Sequence, residues 1–414
     1  MDYLRAVKQT TVIIGGGAAG VFCAANLARL DPNRRVLILE KSSRCLSKVK
    51  VSGGGRCNVT HACFEPKQLV QFYPRGNKEL LGPFHAFQPG DMFDWLEQRG
   101  VALKIEEDGR VFPTSDRSQT IIDVFEKELN RFGVEVWLQS GLQSIQRLGN
   151  GWCVHCSDGR TIEATDVVWA TGSSELMWNR LAELGHSIVQ PVPSLFTFNV
   201  DDKELHALAG VSAQHTEVRI EGTRYTSEGP LLLTHWGMSG PGILKLSAWA
   251  ARELHGLKYD FNIRVCWDSR YAKETWLENL KEWRLEHARA KVRAYTPAQI
   301  PQRLWSYLID RIPMGDVLWG DVSNRMLERM VASITASSFH VQGKSTFKDE
   351  FVTAGGVLLS EVDFRTMRSK VLPHMYFCGE VLDMDAVTGG FNFQAAWTTA
   401  MIAATAIATS ANHS

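Results

Sequence analysis

Thr11-Val12-Ile13-Ile14-Gly15-Gly16-Gly17-Ala18-Ala19-Gly20 is a β-branched run that ends in glycines and opens into an alanine-rich stretch reaching Leu30. The period changes from strand-like to helical across the glycines, and a second strand-like run, Arg35–Leu39, follows. This is a βαβ unit, which implies a parallel sheet with a right-handed crossover and helices on its faces. Gly15, Gly17 and Gly20 fit G-x-G-x-x-G in the context that gives the pattern meaning, after a strand and at a helix start. Gly15 permits the tight turn, Gly17 lets the backbone approach a pyrophosphate, and Gly20 lets helix and strand pack closely. The first helical N–H groups, from Ala18 and Ala19 onward, favour an anion at that end. Glu40 ends the second strand 20 residues beyond Gly20, the spacing of an acid that accepts hydrogen bonds from a ribose diol. Its charge argues against a 2′-phosphate there.

The rest of the chain is consistent with this opening. Its 414 residues are 44% hydrophobic, enough for two or three domains. Forty-five basic residues balance forty-five acidic ones, so no global charge draws the protein to nucleic acid or an anionic membrane. Eight irregularly spaced cysteines suit reduced thiols rather than a disulfide scaffold. The N-terminus has no signal-peptide pattern, and the apolar run Ala395–Ala408 is shorter than the roughly 20 residues that span a bilayer. A soluble, cytoplasmic protein is expected, with no membrane partner and no metal. Further strands are predicted at Val134–Leu138, Trp152–Cys156, Thr161–Glu163, Val167–Ala170 and Met375–Cys378, with Ser157–Arg160 as a hairpin turn. The text from Phe196 to Val265 is β-like, and from Thr275 to Ser338 helical and charged. An α/β domain formed by residues 1–193 and 345–414 is thus expected, with a β-rich insertion (194–270 and about 335–350) and a helical one (271–334).

Two more glycine-rich loops decide which dinucleotide is bound. Ser52-Gly53-Gly54-Gly55-Arg56-Cys57-Asn58 lies in a basic segment with Lys41, Arg44, Lys48 and Lys50; Gly379-Glu380 and Thr388-Gly389-Gly390-Phe391-Asn392 precede the last helix. Three such loops converging on one ligand suggest a long one, its redox ring clamped by backbone N–H groups and a second helix N-terminus. That ligand is FAD. Ala170-Thr171-Gly172 ends a strand in a small-residue turn, as in many FAD proteins, and no second G-x-G-x-x-G follows a strand, so NADH or NADPH is expected to dock transiently.

VSGGGRCNVTH, LLLTHWGMSGPGILKLS, TAGGVLLSEVDFRTMRSK and MYFCGEVLDMDAVTGGFNFQAAW together resemble the YhiN/BaiN-type family of NAD(P)/FAD-dependent oxidoreductases, and the likeness spans nearly the whole chain. The resemblance implies a two-dinucleotide-binding-domain flavoprotein fold, a Rossmann-like FAD domain with inserted β-rich and helical subdomains. It places Gly15, Gly17, Gly20, Glu40, Gly53, Arg56, Ala170, Thr171, Gly172, Gly379, Glu380, Gly390 and Asn392 against FAD, and gives the backbone of Val136 to the adenine; non-covalent attachment of the FAD is expected. Arg44-Cys45-Leu46-Ser47 departs from the family's common Gly-x-Lys, and His61 from its usual Asn. Members of the family reduce carbon–carbon double bonds, of a uridine in large-subunit ribosomal RNA or of a steroid intermediate, which implies hydride from flavin N5 and a proton from an acid.

Two residue types suit that acid. Cys57 sits in the flavin loop and His235 in a family motif of the insertion, and each has a plainer reading, as a packed thiol or a structural imidazole. Asp383 and Asp385 either orient ligand or cap a turn. Cys153-x-x-Cys156 lies on a strand without a second pair and is read as packing. For an RNA partner the informative stretch is Lys281–Arg303, where six cations outnumber Glu282 and Glu286 and interleave with Trp283, Tyr295 and Trp305; a solvated amphipathic helix has the same composition. The reading that results is an FAD-dependent reductase of an activated C=C bond, with a uridine of large-subunit ribosomal RNA as the leading substrate. Its alternatives are a small unsaturated metabolite as substrate, a flavin-binding RNA module without turnover, and an oxidase or hydroxylase on the same fold.

Overall fold

The computed structural model describes residues 9–345, apart from 295, 298 and 299, and residues 352–410. They form two compact units, one made by the chain up to Val192 and again from Val352, the other by the chain between.

The first unit is built on a seven-stranded sheet. Its parallel part has β1 (Thr10–Ile14) at the centre, β2 (Arg35–Leu39) and β3 (Glu135–Trp137) on one side, and β4 (Asp166–Trp169) and β5 (Met375–Phe377) on the other. An antiparallel hairpin, Val362–Asp363 with Arg368–Ser369, closes the β5 side. β1 is buried at every position, as expected of a parallel strand covered on both faces. Helix α1 (Ala18–Leu30) packs against α3 (Phe391–Ser410), which follows α2 (Ser118–Arg131) in the chain and is so rich in Ala and Thr that two helices can approach closely. The threonines of α3 also have polar tasks. Thr398 donates to the Phe87 carbonyl (2.8 Å), and Thr399 accepts from Gly379 N–H (3.0 Å), seating the loop after β5 on the helix. Among the described residues no helix is long and apolar enough to cross a membrane.

Buried polar clusters pin the sheet where periodicity cannot. Arg34 donates to Asp166 (2.8 Å) and Thr11 (3.0 Å), and His374 shares Asp166 (2.9 Å), so the lower ends of β1, β2, β4 and β5 meet at one carboxylate. His186 is flanked by Glu361 (Nδ1, 2.9 Å) and Ser369 (Nε2, 3.0 Å), tying the Val362–Ser369 hairpin to the turn after Glu175–Glu183. Ser369 Oγ also accepts from Val371 and Leu372 N–H, so it donates to the imidazole and is a structural hydroxyl. Burial, opposed by Glu361, lowers the His186 pKa from its ordinary 6.5. The unfolded chain therefore takes up this proton first, so the stabilisation is complete above the ordinary value and is lost as pH falls through the lowered one. Melting temperature is expected to hold between pH about 8 and 7 and to drop towards pH about 5, and His186→Gln should flatten that drop.

The second unit is a closed six-stranded barrel of Thr197–Val200, Gly237–Ser239, Thr226–Thr234, Ser212–Ile220, Asp260–Cys266 and Ser337–Ser345, in that order around the ring. Helices Lys273–Glu286, Gln302–Asp310 and Asn324–Thr335 belong to the same body. One apolar core runs from barrel residues Phe198, Leu233 and Ile263 to Trp276, Trp305 and Met330. Where the sequence suggests separate β-rich and helical insertions, the structure has one insertion. The amphipathic faces of the helices pack on one another and on the barrel.

Candidate functional site

The upper, C-terminal ends of the parallel strands bring the glycine motifs together, at the edge where open α/β sheets bind ligands. Gly15 has φ +110°, and a Cβ there would lie 2.4 Å from the Ala170 carbonyl; a Cβ on Gly20 would lie 2.0 Å from the Gly15 carbonyl. These two glycines let β1, α1 and β4 converge. Gly17 differs, because a Cβ there meets nothing within 4 Å. It is the N-cap of α1, and no side chain caps the helix, so the first-turn N–H groups of Ala18 and Ala19 are left for an anion.

Around this helix end lie the other predicted residues. Glu40 accepts from Gly16 N–H (2.8 Å) through one oxygen and from Ser42 N–H (2.7 Å) through the other, which fixes its carboxylate beside the glycine turn. Trp137 accepts from Glu40 N–H (2.9 Å); by strand alternation, Val136 turns its N–H and C=O to the open edge of the sheet, as adenine pairing requires. A Cβ on Gly379 would lie 2.9 Å from Ala19, so the loop after β5 borders the same helix end. Thr171 Oγ1 and Glu380 Oε1 are buried without a partner, and Gly172 (φ +57°) is beside Glu380. Buried polar atoms are normally satisfied, and two orphans beside an uncapped helix suit the hydroxyls of an extended dinucleotide. Lys48 pairs with Glu380 (2.9 Å), a contact spanning 332 residues that the sequence did not single out. The residues present therefore fit FAD.

The second glycine loop has the backbone that its composition predicts. The helical turn from Ser47 breaks at Ser52 (ψ 147°), and Gly53, Gly54 and Gly55 take φ of +57°, +68° and +84°. It meets the third loop through Asn58, whose amide donates to the Thr60 and Val111 carbonyls (3.0 and 3.3 Å) and accepts from Gly390 N–H (2.9 Å). A Cβ on Gly390 would lie 2.4 Å from the Thr60 carbonyl, so only glycine allows this contact. Leu46 is left-handed (φ 59°, ψ 25°) and buried, donating to the Gly16 carbonyl (2.8 Å). Within Arg44–Ser47 a leucine thus stands in a glycine-type backbone.

Several side chains expected at the ligand are engaged inside the protein instead. Asn392 holds both backbone groups of Ala386 (3.0 and 3.1 Å). Phe391 is 2% exposed and packs against both Phe72 (4.2 Å) and His61 (4.4 Å) in a cluster of three rings. Asp385 is fully buried in a two-pronged ion pair with Arg75. Arg56 lies on the Phe112 ring (4.0 Å) and pairs with Glu106 (2.6 Å). These side chains brace the loops of the site, and that of Arg56 is 34% exposed. Lys41, by contrast, is exposed beside Gly141, and Gly389 adjoins the His61 ring.

The two acid candidates fare differently. Cys57 has no exposed surface, and burial raises its thiol pKa to about 12. Its burial favours the reading of a packed thiol. Cys57→Ala should leave turnover unchanged, whereas loss of a true donor lowers it by about 10²–10⁴-fold; steady-state kinetics of the purified variant check this. His235 is exposed, in the two-residue turn joining Thr226–Thr234 to Gly237–Ser239 of the barrel. Cys153 and Cys156 lie on Gly151–Cys156, buried, and among the described residues no cluster of His, Cys, Asp or Glu could hold a metal ion.

A family model described as the HI0933-like protein Rossmann domain matches residues 9–406. The chain belongs to this family. It is a family of flavin-dependent oxidoreductases, and the first unit here has its Rossmann-type FAD-binding fold. This HI0933-like chain is 28% identical over 401 residues to an Escherichia coli K12 protein named ribosomal RNA dihydrouridine synthase, covering 94% of this chain and 95% of that one. A Clostridium scindens protein named 3-dehydro-bile acid delta(4,6)-reductase is 24% identical over 412 residues, covering 96% and 98%. Among solved structures, the 3-ketosteroid-delta4-(5alpha)-dehydrogenase of Rhodococcus jostii RHA1 has a TM-score of 0.51 at 12% identity, covering 98% of each chain, a likeness of fold.

The RNA stretch in this HI0933-like chain looks different in three dimensions. Arg284 donates to the Val322 carbonyl, Lys291 pairs with Asp316, Arg293 with Asp310, and Arg303 donates to the Ala207 carbonyl. Trp305 is core, its indole N–H on the Val292 carbonyl. Trp283 is partly buried and packs on His287, and Tyr295 lies outside the described residues. Only Lys281 and Arg289 of the six cations are exposed without a partner among the described residues. Four of the six cations thus have partners within the second unit.

Proposed function

We propose that this flavoprotein oxidoreductase reduces the C=C bond of a uridine in large-subunit ribosomal RNA, with FAD held non-covalently and NADH or NADPH as the transient electron source. The observation that carries the reading is the full-length likeness to the E. coli protein named ribosomal RNA dihydrouridine synthase. Bound FAD supplies the hydride. The chain's own part is to hold and orient. Ala18 and Ala19 face the pyrophosphate, Glu40 a ribose diol, Val136 the adenine, and Thr171 and Glu380 the hydroxyls between the rings. The Gly53–Gly55 and Gly389–Gly390 backbones border the redox ring. An RNA substrate entails a cytoplasmic enzyme.

A second reading is favoured by the relative named as a bile-acid reductase. A uracil ring and a dienone both carry a carbonyl-conjugated C=C bond, so one donor and one acid can serve either. The test is anaerobic. Photoreduced protein is mixed with an unmodified large-subunit rRNA transcript or with an unsaturated 3-ketosteroid. Reoxidation by the RNA, with one uridine gaining two hydrogens, is the expected result. Reoxidation by the steroid alone overturns the RNA reading in favour of the metabolite.

A further inference from the structure

The segment KSSRCLSKVK, Lys41 to Lys50, carries four cations and no carboxylate. It leaves the upper end of β2, and the fold absorbs only part of it. Lys48 is tied to Glu380. Lys41, Arg44 and Lys50 are exposed and have no hydrogen-bonded or ionic partner among the described residues. A fourth exposed cation joins them from a distant part of the chain. Ser118 Oγ donates to the Lys50 carbonyl (2.7 Å), which sets Arg117, the N-cap residue of α2, beside Lys50. Arg117 likewise has no partner among the described residues.

Neighbouring carboxylates do not neutralise this group. Glu40 is held by the N–H groups of Gly16 and Ser42, and Asp116 is bound by Lys104 and Arg56. Glu126, on α2, is near enough to raise the Cys45 thiol pKa and offsets one charge. Counting Glu40 and Glu126 against the four free cations leaves two positive charges in excess on this surface. Nothing in the fold requires them, since like charges gathered without partners oppose folding.

We propose that Arg44, Lys50 and Arg117, continued by Lys41 at the cofactor end, form the surface that tracks the phosphate backbone of the RNA substrate. This rests on the proposed RNA reading and moves the contact from Lys281–Arg303, whose cations are mostly engaged, to the first unit. Lysines and arginines free to meet phosphates release condensed counterions, which makes binding steeply salt-dependent.

The test uses the FAD-loaded full-length protein and a fluorescein-labelled single-stranded oligouridylate, titrated by anisotropy between about 50 and 200 mM salt. In the variant Arg44→Glu/Lys50→Glu/Arg117→Glu, affinity at low salt should fall about tenfold or more, and the slope of log Kd against log salt should decrease by about 2, at roughly 0.7 per lost phosphate contact. FAD content and the rate of flavin reduction by NADPH should match the wild type. Variant binding equal to the wild type, with loss in Lys281→Glu/Arg289→Glu instead, overturns the surface and leaves the RNA reading intact. Failure of the wild type to bind RNA overturns the surface and the RNA reading together. Loss of FAD from the triple variant assigns the charges to the cofactor and also overturns the surface.

Discussion

Gly17→Trp protein is expected to purify folded and colourless. Gly17 has φ −80°, open to any residue, and a Cβ there meets nothing within 4 Å. The indole therefore costs the fold little, within about 0.5 kcal/mol as for other surface changes. What it fills is the approach to the uncapped N-terminus of α1, where a pyrophosphate would lie against the first-turn N–H groups. Thermal unfolding should match the apo wild type while visible flavin absorbance is absent. The neighbouring glycine gives the opposite pattern. A side chain on Gly20 begins 2.0 Å from the Gly15 carbonyl, and neither backbone can retreat without parting α1 from β1. Gly20→Val should lose about 3 kcal/mol or more, with flavin lost through the fold. A Gly17→Trp protein that retains stoichiometric FAD would show that the cofactor lies elsewhere.

The second large effect belongs to Arg75 and Asp385. Their side chains are 10% and 0% exposed, and they pair through both carboxylate oxygens. Removing one partner of a buried pair strands a charge, which costs about 3–5 kcal/mol, whereas replacing both by apolar residues of similar volume is often nearly neutral. Arg75→Met should therefore melt far below the wild type, and Arg75→Met/Asp385→Leu should recover most of the loss. The pair also anchors the turn that leads to Gly389 and Gly390. FAD affinity is expected to fall in the single variant even at temperatures where it is folded, which fluorescence titration of the apoprotein with FAD measures.

Much of the dinucleotide site is legible in the sequence because its logic is local. Strand, three glycines, helix and a terminal acid lie within about thirty residues, and each has a stereochemical reason that depends on no distant partner. Gly15, Gly17, Gly20 and Glu40 therefore take separate tasks from their order and spacing alone. The other two loops are legible as loops, and the positive φ of Gly53, Gly54 and Gly55 bears their composition out.

What escapes the sequence is pairing over long separations. Nothing near Asp385 points to Arg75, 310 residues away, so the aspartate reads as a ligand contact or a cap. His186, Glu361 and Ser369 come together only when the chain returns from the second unit. Cys57 stands in a loop of glycines that suggests access, and burial is a property of what packs above it. The stretch Lys281–Arg303 shows the same limit from the other side. Composition records its charge, while Asp310, Asp316 and two backbone carbonyls, which use up four of its cations, are visible only in the fold.

The central claim, an FAD-dependent reductase acting on a ribosomal uridine, is tested most directly by mapping dihydrouridine in large-subunit rRNA from cells with the gene, without it, and with the Gly17→Trp form restored. The account predicts that one dihydrouridine disappears on deletion, returns with the wild-type protein and does not return with Gly17→Trp. An rRNA dihydrouridine map unchanged by the deletion would contradict it.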